Sequence, residues 1–313
     1  MDPGREWQSR TVTVRTPAST ANLGPGFDTL GLALRLHNRL RLVPADGPVT
    51  VTVAGEGEGL LETGAGNLAY CAVERLFREV GRPAPSLALY LENAIPVSRG
   101  LGSSSTAIVG GLVGANALLG EPLDREQLLA LAVEMEGHAD NVAPALLGGF
   151  QVSSLTEEGL LHLAIPLPTG LRAVVCVPEA QVSTTDARRV LPAQYSRADA
   201  VFNIGRVSLL VAGLLTGRTD VLRAAMQDRI HQPYRAALVP GYEAALEGAL
   251  AAGAAGVCLS GSGSTMLALT TGDPTPVGEA MTAAVRAAGS EARWLALEPD
   301  LEGSVIERIE ELS

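Results

Sequence analysis

The apolar residues of this chain change period repeatedly, and strand-like and helix-like runs follow one another without strict alternation. Period-two patterns over residues 11–16, 49–53 and 86–92 predict strands, the last through Leu87, Leu89 and Leu91. Over residues 67–80 the stripe of Leu68, Cys71, Ala72, Leu76 and Val80 predicts a helix. A helix packed with small residues is expected over 103–119. Another opens at Asp124, where Gln127 completes a capping box, and runs to about Glu136. In the second half, strands are expected over 149–153, 160–165, 171–177, 256–260, 265–269 and 293–297. Helices are expected over 183–190, 197–216, 220–227, 242–252 and 277–288. Such a mixture predicts an α+β fold, and 313 residues suffice for about two domains.

Composition narrows the chemistry. All 23 basic residues counted as Lys or Arg are arginine. A P-loop or protein-kinase nucleotide site and a Schiff-base mechanism each need a lysine, so all three are excluded. The net charge of −11 argues against a nucleic-acid or anionic-membrane partner. Cys71, Cys176 and Cys258 are far apart in apolar stretches, as expected of reduced, buried thiols. The first ten residues lack an apolar core, so no signal peptide is expected. The apolar run over 107–120 is too short and too interrupted by glycine to span a bilayer. A cytoplasmic protein is the expectation.

Four segments carry chemistry. The run Pro96, Val97, Ser98, Arg99, Gly100, Leu101, Gly102, Ser103, Ser104, Ser105 leads from a strand into the small-residue helix. Its glycines let backbone approach a ligand, and free N–H groups at a helix start favour an anion such as phosphate. Between residues 19 and 31, Asn22, Gly24, Gly26 and Asp28 form a polar loop of about twelve residues, longer than a turn requires. Residues 134–144 place Glu134 and Glu136 at a helix C-terminus, where carboxylates oppose the dipole; a bound metal ion and a solvated helix end are the two readings of that pattern. His138, Asp140 and Asn141 follow the Gly137 stop; His37, His162 and His231 are read as structural. The fourth segment, over 259–265, is a Gly/Ser turn between two strand-like runs.

Together, and in this order, the four segments resemble the GHMP kinase superfamily and, within it, the branch that phosphorylates homoserine. Residues 17–34, 138–150, 183–192 and 228–235 carry the finer likeness. The resemblance implies an N-terminal ribosomal-protein-S5-domain-2-like domain over 1–165 and a ferredoxin-like C-terminal domain over 166–313. It implies that ATP is cradled by Pro96, Val97, Ser98, Arg99, Gly100, Leu101, Gly102, Ser103 and Ser104, with Asn67 at the nucleotide pocket. Glu134, with Ser104 or Ser103, is expected to hold Mg²⁺; Glu136 is the rival carboxylate. Asn22, Asp28, His138, Asn141, Thr184, Arg188, Arg235 and Gly263 are expected around L-homoserine, with Arg189 a rival to Arg188. A homodimer is implied by the same likeness.

Homoserine is a zwitterion, so its pocket needs an anion for the ammonium and cations for the carboxylate. Asp28 can supply the first, and Arg188 and Arg235 the second through bidentate guanidinium forks. Related kinases of the superfamily pair an Asp base with a lysine. Here there is no lysine, and Asn141 stands at the matching position. The expectation is direct transfer without a dedicated protein base, with Asn141, Arg235 and Glu134 as the catalytic set and Asp140 turned away from the site.

Overall fold

The computed structural model describes residues 6–312. The N-terminal segment in which no signal peptide was expected lies partly outside these residues. Eleven strands are described: β1 (Arg10–Ala21), β2 (Leu30–Pro44), β3 (Thr50–Gly55), β4 (Leu87–Asn93), β5 (Phe150–Thr156), β6 (Gly159–Ile165), β7 (Arg172–Pro178), β8 (Gly256–Leu259), β9 (Met266–Thr270), β10 (Ala292–Leu297) and β11 (Val305–Glu311). The helices are α1 (Leu68–Glu79), α2 (Ser103–Leu118), α3 (Arg125–Glu136), α4 (Ala139–Leu147), α5 (Thr184–Arg189), α6 (Arg197–Thr216), α7 (Leu222–Ala225), α8 (Gln232–Arg235), α9 (Tyr242–Ala251) and α10 (Thr275–Ala287).

The first sheet runs in the order β11-β1-β2-β4-β3, with β5 pairing β2 and β6 pairing β5; only β3 and β4 pair in parallel. Val12, Val14, Leu40, Leu42, Leu89 and Leu91 meet apolar faces of α1 to α4 in one core. α2 is buried almost all round because glycine lets its neighbours close in: a Cβ on Gly111 would lie 2.4 Å from the Ala69 carbonyl oxygen, and one on Gly114 2.4 Å from Leu42. The second sheet is β10-β7-β9-β8, with α9 and α10 against it. β7 sends Val174 and Cys176 to the core under these helices, and Ala173, Val175 and Val177 to a third core shared with Leu30, Leu32, Leu34 and Phe150 of the first sheet. Burial on both faces explains why β7 reads as an unbroken apolar run.

Three departures from the sequence reading bear on the site. β1 and β2 extend to Ala21 and from Leu30, so the polar loop between them covers only 22–29. Residues 139–147 form a helix, so His138, Asp140 and Asn141 are the start of α4 and not a tail after α3. β11, though in the second half of the chain, pairs antiparallel with β1, so a single division at 165/166 does not describe the first sheet.

Candidate active site

A cavity of about 410 Å³ lies where the β1–β2 loop, the β4–α2 loop, the start of α4, α5, α8 and the β8–β9 loop converge. Its two sides differ in chemistry.

The glycine-rich side is the β4–α2 loop. Gly102, at φ +72°, forms the N-cap of α2, and no side chain caps the helix. A Cβ there would sit 2.2 Å from Ser19 Oγ, and one on Gly100 would sit 2.2 Å from the Ser260 carbonyl oxygen, so both positions demand glycine. Val97, Ser98, Arg99, Gly100, Gly102, Ser103, Ser104 and Asn67 line the cavity. Pro96 and Leu101 do not: Pro96 lies in a neighbouring groove, and Leu101 is buried in the core between the sheets. Arg99 ties the loop to the second sheet, donating from Nε to the Pro178 carbonyl at 2.9 Å and from Nη2 to the Glu179 carbonyl at 2.6 Å. Asn67 caps α1, its Oδ1 accepting from the Ala69 N–H at 3.0 Å while Nδ2 donates to the Glu62 carbonyl.

The carboxylate facing the α2 start is Glu136. Its Oε1 accepts from Ser104 Oγ at 2.8 Å and Ser105 Oγ at 2.9 Å. This corrects the expectation for Glu134, which is 62% exposed and bound to Arg75 at 2.8 Å, outside the cavity. Residues two apart on a helix point roughly 200° apart, so only one of the pair can face α2. The Arg75 hydrogen bond holds the Glu134 carboxyl below its ordinary value.

The other side is dense with charge. Asn22, left-handed at φ +71°, donates from Nδ2 to the Gly261 carbonyl at 3.1 Å and accepts at Oδ1 from the Asp28 N–H at 3.0 Å. Asp28 takes a bidentate pair of bonds from Arg188, both 3.0 Å. The two groups expected to bind opposite ends of a zwitterion therefore pair with each other, and the Asp28 hydrogen bond raises the Arg188 pKa. Arg189 is 74% exposed and bound to Asp186, and it does not line the cavity, whereas Arg188 does. Thr184 opens α5 at the cavity wall. Arg235 is only 2% exposed; Nε donates to the Ala187 carbonyl at 3.0 Å and Nη1 to the Gly261 carbonyl at 3.1 Å. Burial, with the nearby Arg188 charge, pushes its pKa down.

Gly263 is not at the cavity surface. Its neighbours Gly261 and Ser262 are, while the Cα of Gly263 faces Leu259 and Val239. Asp140 corrects the reading in the opposite sense: it lines the cavity, and its Oδ1 meets His138 Nδ1 at 2.6 Å. Burial alone would lower the His138 pKa, but the Asp140 hydrogen bond and the charges of Asp140, Glu136 and Asp28 outweigh it and leave the ring above its ordinary value. Asn141 Oδ1 accepts from Ser19 Oγ at 2.9 Å. Glu134, preferred over Glu136, and Asp140, expected to turn away, are the acidic groups whose places differ from the sequence expectation; helical phase from Glu134 to Glu136, and the apolar period beginning at Ala139, were the signals available.

A glycine-capped helix start beside a serine–carboxylate cluster, set between two α+β layers, defines the class. Residues 67–149 match the GHMP kinases N terminal domain and residues 210–290 the GHMP kinases C terminal family. The chain belongs to the GHMP kinase superfamily and has its two-domain fold. Within it, the chain is 47% identical to a homoserine kinase of Moorella thermoacetica over 94% of its own length and 99% of that protein. It is 52% identical to one of Symbiobacterium thermophilum, covering 94% of each. The crystal structure of homoserine kinase from Cytophaga hutchinsonii superposes with a TM-score of 0.87 at 33% identity, over 95% of this chain and 97% of that one. The chain is thus a member of the homoserine kinase family. A mevalonate kinase from L. major, at 16% identity and a TM-score of 0.69, shares the fold.

Proposed function

We infer that this chain is a homoserine kinase, an ATP-dependent enzyme that moves the γ-phosphoryl group onto the side-chain hydroxyl of L-homoserine in threonine biosynthesis. The observation that carries the reading is the opposed character of the cavity: uncapped helix N–H groups and hydroxyls for a polyphosphate on one side, and paired charges of both signs for a zwitterion on the other.

In this reading the triphosphate lies along Ser98, Gly100, Gly102, Ser103 and Ser104, with Asn67 towards the nucleoside. Glu136 and Ser104 fit Mg²⁺ as hard oxygen donors already drawn together in the structure; the ion would neutralise charge on the phosphates. Asp28 receives the substrate ammonium, and Arg188 and Arg235 its carboxylate. Asn22, Thr184 and Asn141 orient the chain that bears the hydroxyl. The hydroxyl oxygen bonds to the γ-phosphorus as the bond to the β-phosphate oxygen breaks. The proton passes to an oxygen of the transferred group, because an amide at Asn141 is no base. Positioning and charge stabilisation supply the rate enhancement.

The place of Asp140 on the cavity wall supports a second reading, in which this carboxylate takes the proton. The hydrogen bond of its Oδ1 to His138 favours the first, since that oxygen is already engaged.

A division near residue 165, with β11 returned to the first half, remains the domain reading. We read the enzyme as cytoplasmic and as a homodimer, with the exposed apolar residues of α6 (Val201, Ile204, Leu215) and β6 (Leu161, Leu163) as the face that supports association. A coupled ADP-release assay with homoserine, mevalonate and galactose tests the function, and homoserine is the expected acceptor. Turnover of mevalonate or galactose alone rejects the assignment. Light scattering on the same preparation should give twice the 32.3 kDa chain mass; the single mass rejects the dimer.

A further inference from the structure

His231 was read from sequence as a structural residue, but its contacts give it a place in substrate binding. The side chain is fully buried, beneath the charged side of the cavity. Nε2 lies 2.7 Å from the Gly24 carbonyl oxygen, which only accepts, so Nε2 carries the proton. Nδ1 therefore keeps its lone pair and accepts from Arg235 Nη1 at 3.3 Å. One ring thus joins the left-handed loop of residues 22–29 to the buried guanidinium.

The ring is held from its other sides as well. It stacks on Phe27, with centroids 5.2 Å apart, and the Arg235 guanidinium lies 5.3 Å over the same phenyl ring. The buried Asp228 carboxylate accepts from the backbone N–H groups of Ile230, His231 and Gln232 at 2.7–2.9 Å and from Asn203 Nδ2 at 2.7 Å. Asn203 Nδ2 also reaches the Pro25 carbonyl at 3.2 Å, so a second tie from the same knot holds the loop. Burial, above all, keeps the imidazole neutral; Asp228 pulls the other way, and Arg235 adds to the lowering. Arg235 has Nε and Nη1 engaged, and Nη2, with no protein partner among the described residues, is left for a ligand.

We propose that His231, as its neutral Nε2–H tautomer, is a positioning residue: it holds the Arg235 fork and the Asn22–Asp28 loop in the arrangement that receives the amino-acid end of the substrate. The inference rests on the homoserine kinase reading. It assigns no contact between His231 and substrate.

Two substitutions separate the bonds. In His231→Gln the amide nitrogen falls near the Nε2 position, keeping the Gly24 bond and losing the acceptor for Arg235. In His231→Asn the amide oxygen falls near Nδ1, keeping that acceptor and losing Gly24. Each should raise KM for homoserine about tenfold, and His231→Ala about 100-fold, with KM for ATP within about twofold. Unchanged KM for homoserine in folded Gln and Asn variants, or parallel rises in both KM values, overturns the proposal. Wild-type enzyme gives a test that needs no variant: in ¹⁵N-histidine-labelled protein, His231 should show the Nε2–H form from about pH 6 to 8. An Nδ1–H form, or titration within that window, also overturns it. Arg235→Leu is the control. If it leaves KM for homoserine unchanged, the site reading itself fails; if it raises KM and the His231 variants do not, only the positioning role fails.

Discussion

On the glycine-rich side of the cavity the first turn of α2 has no side-chain cap, whereas on the opposite side the charges already have partners: Asp28 with Arg188, His138 with Asp140, Arg235 with three acceptors. In the function proposed here, the difference follows from what each side would receive. A polyphosphate brings its own negative charge, so its wall needs only donors held in place by backbone. A zwitterion brings both signs, and a wall offering both signs neutralises itself when empty. Binding on that side is an exchange of ion pairs, while binding on the other is a first pairing.

Arg235→Leu should show the largest effect, because it removes the bonds to the Ala187 and Gly261 carbonyls, the second of which then keeps only Asn22, as well as the cation proposed for the substrate. A fall of about 10³ in kcat/KM for homoserine, roughly 4 kcal/mol, is expected. A loss confined to KM for ATP would place Arg235 on the wrong wall. Next comes the metal cluster. Glu136→Gln should raise the Mg²⁺ concentration for half-maximal activity about 30-fold, while Glu134→Gln changes it less than about twofold. The reverse order would return the ion to Glu134. Smallest is Asp140→Asn, expected to lower kcat by no more than about tenfold; a fall of several orders of magnitude with the fold intact makes Asp140 the base. The same variant carries a sign. His138 has a raised folded pKa, so its pairing stabilises fully below the unfolded value of about 6.5 and is lost as pH rises through the folded value. Wild type should lose this increment of Tm as the pH rises above about 6.5, and Asp140→Asn should not. Parallel Tm profiles would show that the pair does not titrate there.

Much of the architecture was legible because local signals agreed with it: α6 falls on its expected bounds, and the Asp124–Gln127 capping box is present. β2 was the main omission, although Leu30, Leu32, Leu34 and Leu36, and after the break at Asn38 Leu40 and Leu42, keep period two. Asn22, Gly24 and Gly26 before it are loop formers and masked its start. β11 gave little signal because it is an edge strand, half-exposed and rich in glutamate. At the site, residue types were legible and directions were not. Glu134 and Glu136 differ by helical phase, Gly261 and Gly263 by which way a tight turn faces, and Asp140 by a helix start that the preceding Gly137 concealed.

The pairing of β11 with β1 has a consequence for how the enzyme is made. Arg10 and Glu311 are partners across a separation of 301 residues. During synthesis the outer edge of β1 stays open after its own layer and the whole second sheet have left the ribosome. An open strand edge is a template for pairing with another chain. A product cut short before Val305 would carry every residue proposed here for the active site and still present that edge, so quality control should find it by its solubility before any assay finds it by its rate.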